Sequence, residues 1–183
     1  MREHPNIIIT GTPGVGKTSH CEQLVTALTN GESGAKLRHV SINQIVKEKE
    51  CHEGWDEEFQ SWIVDEDKLL DALEPDALKG GLILDWHACD LFPKSWIDLV
   101  VVLRTDSSLL YDRLAARGYA TKKLEENMDS EIMQVLLEEA REAYDEEIIV
   151  ELKSDDADDI ERNVERIEKW AENWTKDHDT AES

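Results

Sequence analysis

Basic residues are scarce in this chain: 20 Lys and Arg face 42 Asp and Glu among 183 residues, a formal net charge of −22. Neutralising a phosphate backbone needs a cationic surface, so direct DNA binding and general RNA-backbone binding are disfavoured, while basic partners stay open. Cysteine is scarce as well, and Cys21, Cys51 and Cys89 are odd in number and scattered. That spacing makes neither a disulfide framework nor a paired zinc motif, and reads as inert packing thiols without a histidine cluster. No apolar run approaches the length that crosses a bilayer. The first residues lack the apolar stretch and cleavage site of a secretory signal, so a reducing compartment is expected. There is no internal repeat and no low-complexity linker. With 40% apolar residues the chain is too hydrophobic for disorder. Its length suits one compact domain, assigned to 1–175, with a polar and mobile tail over 176–183.

Apolar runs at 6–10, 82–86, 99–103 and 148–152 read as strands buried on both faces of a parallel sheet, with a weaker edge candidate at 37–42. Helical patterns lie between them at 17–29, 44–50, 67–79, 107–117, 129–146 and 158–175. Strands alternating with helices through short connections define a three-layer α/β fold, with ligands at the C-terminal strand ends. In the last helix Ile160, Val164, Ile167, Ala171 and Trp174 form a stripe that is expected to dock on the core.

The chemistry begins directly after the first strand, where Gly11-Thr12-Pro13-Gly14-Val15-Gly16-Lys17-Thr18 fits the phosphate-loop pattern at every fixed position and opens a helix. Its glycines let successive N–H groups turn inward around a polyphosphate, and the helix adds its positive end. Lys17 is placed to reach the β and γ oxygens, and the Thr18 hydroxyl to bind Mg²⁺. No Asn-Lys-x-Asp run is present to read guanine, which disfavours a Ras-type GTPase.

Leu82-Ile83-Leu84-Asp85 ends an apolar strand on a carboxylate. Asp85 either caps the next short helix or holds the metal through its water shell; the cost of burying an unpartnered carboxylate favours the second. His87, two residues on, lies on the same side of an extended chain and can orient water or a phosphate. Arg113 and Arg117, at i and i+4, precede the short flexible basic segment 118–123. They suit a flap that closes on transferring phosphates, or else surface pairing with Asp112, Glu125 and Glu126.

Together the GTPGVGKT loop, the LILDWH strand end and the RLAARGYATKK segment resemble the nucleoside monophosphate kinases. More narrowly they resemble the adenylate kinase isoenzyme 6 family, also described as coilin-interacting nuclear ATPase. The similarity also takes in Trp55-Asp56-Glu57-Glu58, Leu103-Arg104-Thr105-Asp106 and the C-terminal Trp helix. It implies a P-loop NTPase fold with a central parallel sheet, a monophosphate-binding insertion at about 42–72 and a lid at about 117–126. It further implies Mg²⁺-dependent transfer from ATP to AMP, an ATPase side activity and nuclear presence; a monomer found in both nucleus and cytoplasm is expected. A role in small ribosomal subunit maturation through a basic ribosomal protein is implied as well.

Carried over by position, Gly14, Val15, Gly16, Lys17, Thr18 and Ser19 would hold the ATP phosphates, and Asp85 with His87 would form the Walker B type pair. Arg113 would stack near the adenine and Arg117 would contact phosphates in the closed state. Lys47 stands where such kinases usually carry an arginine toward the monophosphate, and it offers a point charge in place of a bidentate fork. Trp86-His87-Ala88-Cys89 replaces the Gly-Phe-Pro-Arg of ordinary adenylate kinases, which favours ATP hydrolysis as a companion activity. Two other readings fit the same residues: an ATPase assembly factor that shields a basic protein with its acidic surface, and a P-loop kinase for another small acceptor such as a sugar acid.

Overall fold

The computed structural model describes residues 2–31 and 34–181. Five parallel strands form the central sheet in the order β2(Arg38–Ser41), β5(Leu82–Asp85), β1(Ile7–Thr10), β6(Leu99–Arg104), β7(Ile149–Lys153). The three inner strands read IIIT, LILD and LVVVLR and are buried almost throughout, as strands covered on both faces must be. The polar 37–42 segment takes an edge, where one side of its ladder is free. Registers Ile9↔Asp85 and Ser41↔Asp85 bring the ends of β1, β5 and β2 level, so the groups that follow them share one rim.

One face of the sheet carries Ile8, Leu84, Val100 and Val102 against α2(Ile42–Glu48), α3(Glu66–Lys79) and α6(Val135–Ala143). The other carries Ile7, Ile9, Ile83, Val101 and Leu103 against α1(Lys17–Asn30), α4(Ser107–Ala116) and α7(Ala157–Ala181). The α7 stripe docks as its spacing requires, with Val164, Ile167 and Ala171 buried against α1. That helix continues through 176–181, so the expected tail is helical there, while 182–183 lie outside the described residues.

Three other departures matter for the site. Residues 52–64 form an antiparallel hairpin, β3(His52–Asp56) with β4(Ser61–Val64), bulged between His52 and Gly54. The basic segment after Gly118 is helical from Thr121, as α5(Thr121–Ile132). The helix expected over 129–146 is broken at Met133-Gln134, where Gln134 adopts φ 58° and turns the chain into α6. Among the described residues no helix is long and apolar enough to cross a membrane.

Candidate active site

The loop between β1 and α1 is shaped from outside. Arg113 Nη1 on α4 donates to the Gly14 carbonyl at 3.2 Å, Ser154 Oγ after β7 to that of Val15 at 2.5 Å, and His20 Nδ1 to that of Gly16 at 2.7 Å. Occupying these outward carbonyls favours the inward turn of the intervening N–H groups, the arrangement that cradles anions. Gly14 has φ 94°, and a Cβ there would lie 3.0 Å from both Leu110 and Leu114, so a side chain would be strained by the backbone conformation and tight against both leucines. His20 is buried, and Asn163 of α7 donates to its other ring nitrogen at 3.1 Å. Burial holds its pKa below the ordinary histidine value, which keeps the ring neutral with its proton toward Gly16.

Lys17 Nζ lies inside the loop, donating to the carbonyls of Gly11 at 2.8 Å and Thr12 at 3.3 Å. Burial lowers its pKa to about 8, opposed by Asp85 and reinforced by Arg117. Asp85 Oδ2 accepts from Thr18 Oγ1 at 2.9 Å and from His39 Nε2 on β2 at 2.8 Å. A hydroxyl and a carboxylate side by side at the loop's mouth are hard oxygen donors, the set that Mg²⁺ takes while keeping most of its water. Cys21 also meets a histidine, contrary to the sequence reading. Its sulfur, a His39 nitrogen and an Asp85 oxygen all lie within 4.8 Å of one another, because parallel neighbours β2 and β5 converge on α1. The direct His39–Asp85 hydrogen bond already satisfies that arrangement.

A cavity of about 740 Å³ opens over these groups. Gly14, Gly16, Lys17, Thr18, Ser19, Asp85, His87 and Arg117 line it, whereas buried Val15 packs in the core. Arg113 and Lys47 are not brought into it. The first donates to Gly14, Ser154 and Asp155 carbonyls behind the loop; the second is exposed on α2, whose Asn43 and Val46 reach the cavity instead. The far wall is the β3–β4 hairpin, with Trp55, Phe59 and Trp62. The roof is α5, whose Lys123, Glu126, Asn127 and Ser130 recur at helical spacing on one face. Hairpin and roof touch: Lys122 pairs with Glu58 and Lys123 Nζ donates to the Gln60 carbonyl at 3.1 Å.

His87 is open to the cavity's water, yet its recess, with Lys17 and Lys123 nearby, pushes its pKa down to about 4. The ring is therefore neutral at physiological pH and can accept or donate a hydrogen bond without carrying charge. A ring proton titration by NMR is expected to show His87 unprotonated throughout pH 5–8, with no His87-dependent inflection in turnover over that range. A midpoint near 6.5 would contradict this placement.

The loop, the Asp85 strand end and the parallel sheet between helices define a P-loop nucleotide-binding protein. Residues 7–134 match the AAA domain family. The chain is 51% identical to the adenylate kinase isoenzyme 6 homolog of Schizosaccharomyces pombe over 97% of both chains, and 49% identical to that of Dictyostelium discoideum over 94% of this chain and 95% of the relative. It belongs to the adenylate kinase isoenzyme 6 family, and is a nucleotide kinase. The fold alone is shared with shikimate kinase from Acinetobacter baumannii, at TM-score 0.61 and 15% identity over 90% of each chain, and with that from Bacteroides thetaiotaomicron, at 0.58 and 17% over 91% of this chain and 97% of that one.

Proposed function

We propose that this protein transfers the γ-phosphoryl group of ATP to AMP, giving two ADP, and hydrolyses ATP slowly when no acceptor is bound. The observation that carries this reading is the continuity of the cavity, which runs from Lys17 and Thr18 to a wall of Asn43, Val46 and Trp62. One end suits a polyphosphate and the other, rich in indole rings, suits a planar base.

In this reading the acceptor phosphate is already a nucleophile, so the chain supplies alignment and charge rather than a strong base. Lys17 and Arg117 neutralise charge spread over the transferring group. The loop N–H groups fix the β-phosphate, and Arg113 holds the loop's outer side. Thr18 and Asp85 hold Mg²⁺, which supplies charge neutralisation and orients the phosphate oxygens. Neutral His87 orients the acceptor phosphate or a water. Lys122 and Lys123, by drawing α5 onto the hairpin, exclude bulk water from the reacting centre.

ADP formed with and without AMP tests this directly. AMP-dependent production of two ADP per ATP consumed supports transfer, and phosphate release indifferent to AMP overturns it. The net charge of −22 supports a second reading, an assembly factor in small ribosomal subunit maturation, present in nucleus and cytoplasm, that holds a basic ribosomal protein on its acidic surface. ATP hydrolysis stimulated by such a protein, with AMP absent, favours it.

A further inference from the structure

A buried carboxylate engaged by three separate residues lies outside every motif the sequence offered. Glu131, near the end of α5, is 4% exposed. Its Oε2 accepts from Thr12 Oγ1 at 2.7 Å, and its Oε1 from Arg104 Nε at 2.7 Å and from the Thr105 amide at 3.2 Å. Arg104 Nη2 also donates to the Glu131 carbonyl at 2.9 Å. A buried carboxylate so paired is held rigidly, since removing any donor leaves charge without compensation. Thr12 is itself a phosphate-loop residue, 1% exposed, and its carbonyl receives Lys17 Nζ. Glu131 therefore grips the loop from its N-terminal side, where none of the outer contacts from Arg113, Ser154 or His20 reaches.

The other end of the same helix touches the opposite wall. Lys122 pairs with Glu58 and lies 5.2 Å from the Phe59 ring centroid, while Lys123 donates to Gln60. A helix of this length is a rod of about 18 Å. Its first turn meets the hairpin and its last turn meets the loop, with its cavity face between them.

We propose that Glu131 is a positioning residue for phosphoryl transfer, and that α5 acts as a lever linking closure of the hairpin to the placement of Thr12 and Lys17. This rests on the reading that the hairpin side receives the acceptor. When the hairpin engages Lys122 and Lys123, α5 is fixed and Glu131 holds the loop in its reacting shape. When it disengages, the loop loses that restraint while the contacts behind it persist. Acceptor binding and ATP placement are then coupled, each favouring the same closed arrangement.

The test compares Glu131→Gln, Thr12→Val, their double variant, and Lys122→Ala/Lys123→Ala with the unaltered protein. Folding is monitored by circular dichroism, and kinetics by ADP formation with AMP varied. The expected result for Glu131→Gln and Thr12→Val is a fall in kcat of roughly 10- to 100-fold and a loss of the AMP dependence of ATP affinity, with the KM for ATP at low AMP nearly unchanged. The double variant should be no worse than the single ones, because both remove one interaction. Lys122→Ala/Lys123→Ala removes one exposed and one half-buried side chain at the hairpin contact, and should abolish the increase in ATP affinity on AMP binding that the lever requires.

A folded Glu131→Gln with unaltered kcat, or a multiplicative double variant, overturns the positioning role. Unchanged coupling in the lysine variant overturns the lever. If Glu131→Gln fails to fold, Thr12→Val alone decides the positioning role, since it removes one hydroxyl at nearly constant volume. Failure of the unaltered protein to use AMP counts against the acceptor reading; failure of the variants to differ from an AMP-using protein counts against this inference.

Discussion

Lys17→Ala should lower the rate of phosphoryl transfer by roughly 10³-fold or more, the scale of losing a principal electrostatic contact in a site shielded from water. The ammonium is held within the loop by the Gly11 and Thr12 carbonyls, ready to exchange those partners for phosphate oxygens. Lys17→Arg should recover little, because a planar fork does not fit a pocket shaped for a point charge. A Lys17→Ala variant turning over at a near-normal rate would end the assignment.

The same group gives a pH signature. Burial lowers its pKa to about 8, so the charged form dominates below that value and is lost above it. ATP affinity of the free protein is therefore expected to be fully developed at pH 7 and to fall as pH rises through about 8. Bound phosphate shifts the midpoint upward by stabilising the cation. Calorimetric titrations at several pH values check this, and Lys17→Ala should lack the decline.

Asp85→Asn is the second large effect. The amide oxygen can still accept from Thr18 and His39, both of which now donate to Asp85 Oδ2, so the fold should persist with its melting temperature little changed. The negative charge goes, however, and with it the pull on Mg²⁺. A fall in kcat of about 10²- to 10³-fold is expected, together with a higher Mg²⁺ concentration for half-maximal rate. Unaltered Mg²⁺ dependence would show that Asp85 serves only to fix Thr18 and His39.

What could be read in advance follows the reach of each signal. The β1 run, the glycine spacing and the carboxylate closing β5 are contiguous in sequence, and strand, loop and helix appeared in the order that places Lys17, Thr18 and Asp85 together. The hairpin at 52–64 escaped notice because its strands lie half-exposed, alternate without a strong apolar face, and carry a bulge at their start. The break at Gln134 has no glycine or proline to announce it. His39 and Glu131 could not have been found at all. Each matters only through a partner dozens of residues away, and on its own looks like an ordinary polar residue on an edge strand or a helix. Arg113 was singled out for its charge, and the structure turns that charge to the back of the loop.

The match to the AAA domain family ends at residue 134, yet Ser154, Asp155 and Asn163 all lie beyond it, in the stretch that pins the turn around residues 14–16 directly or through Arg113 and His20. A fragment cut at that boundary would keep every letter of the nucleotide signature and lose the brace that gives those letters their shape. Recognition written in the first tenth of the polypeptide is completed only once its last sixth has been made and folded back.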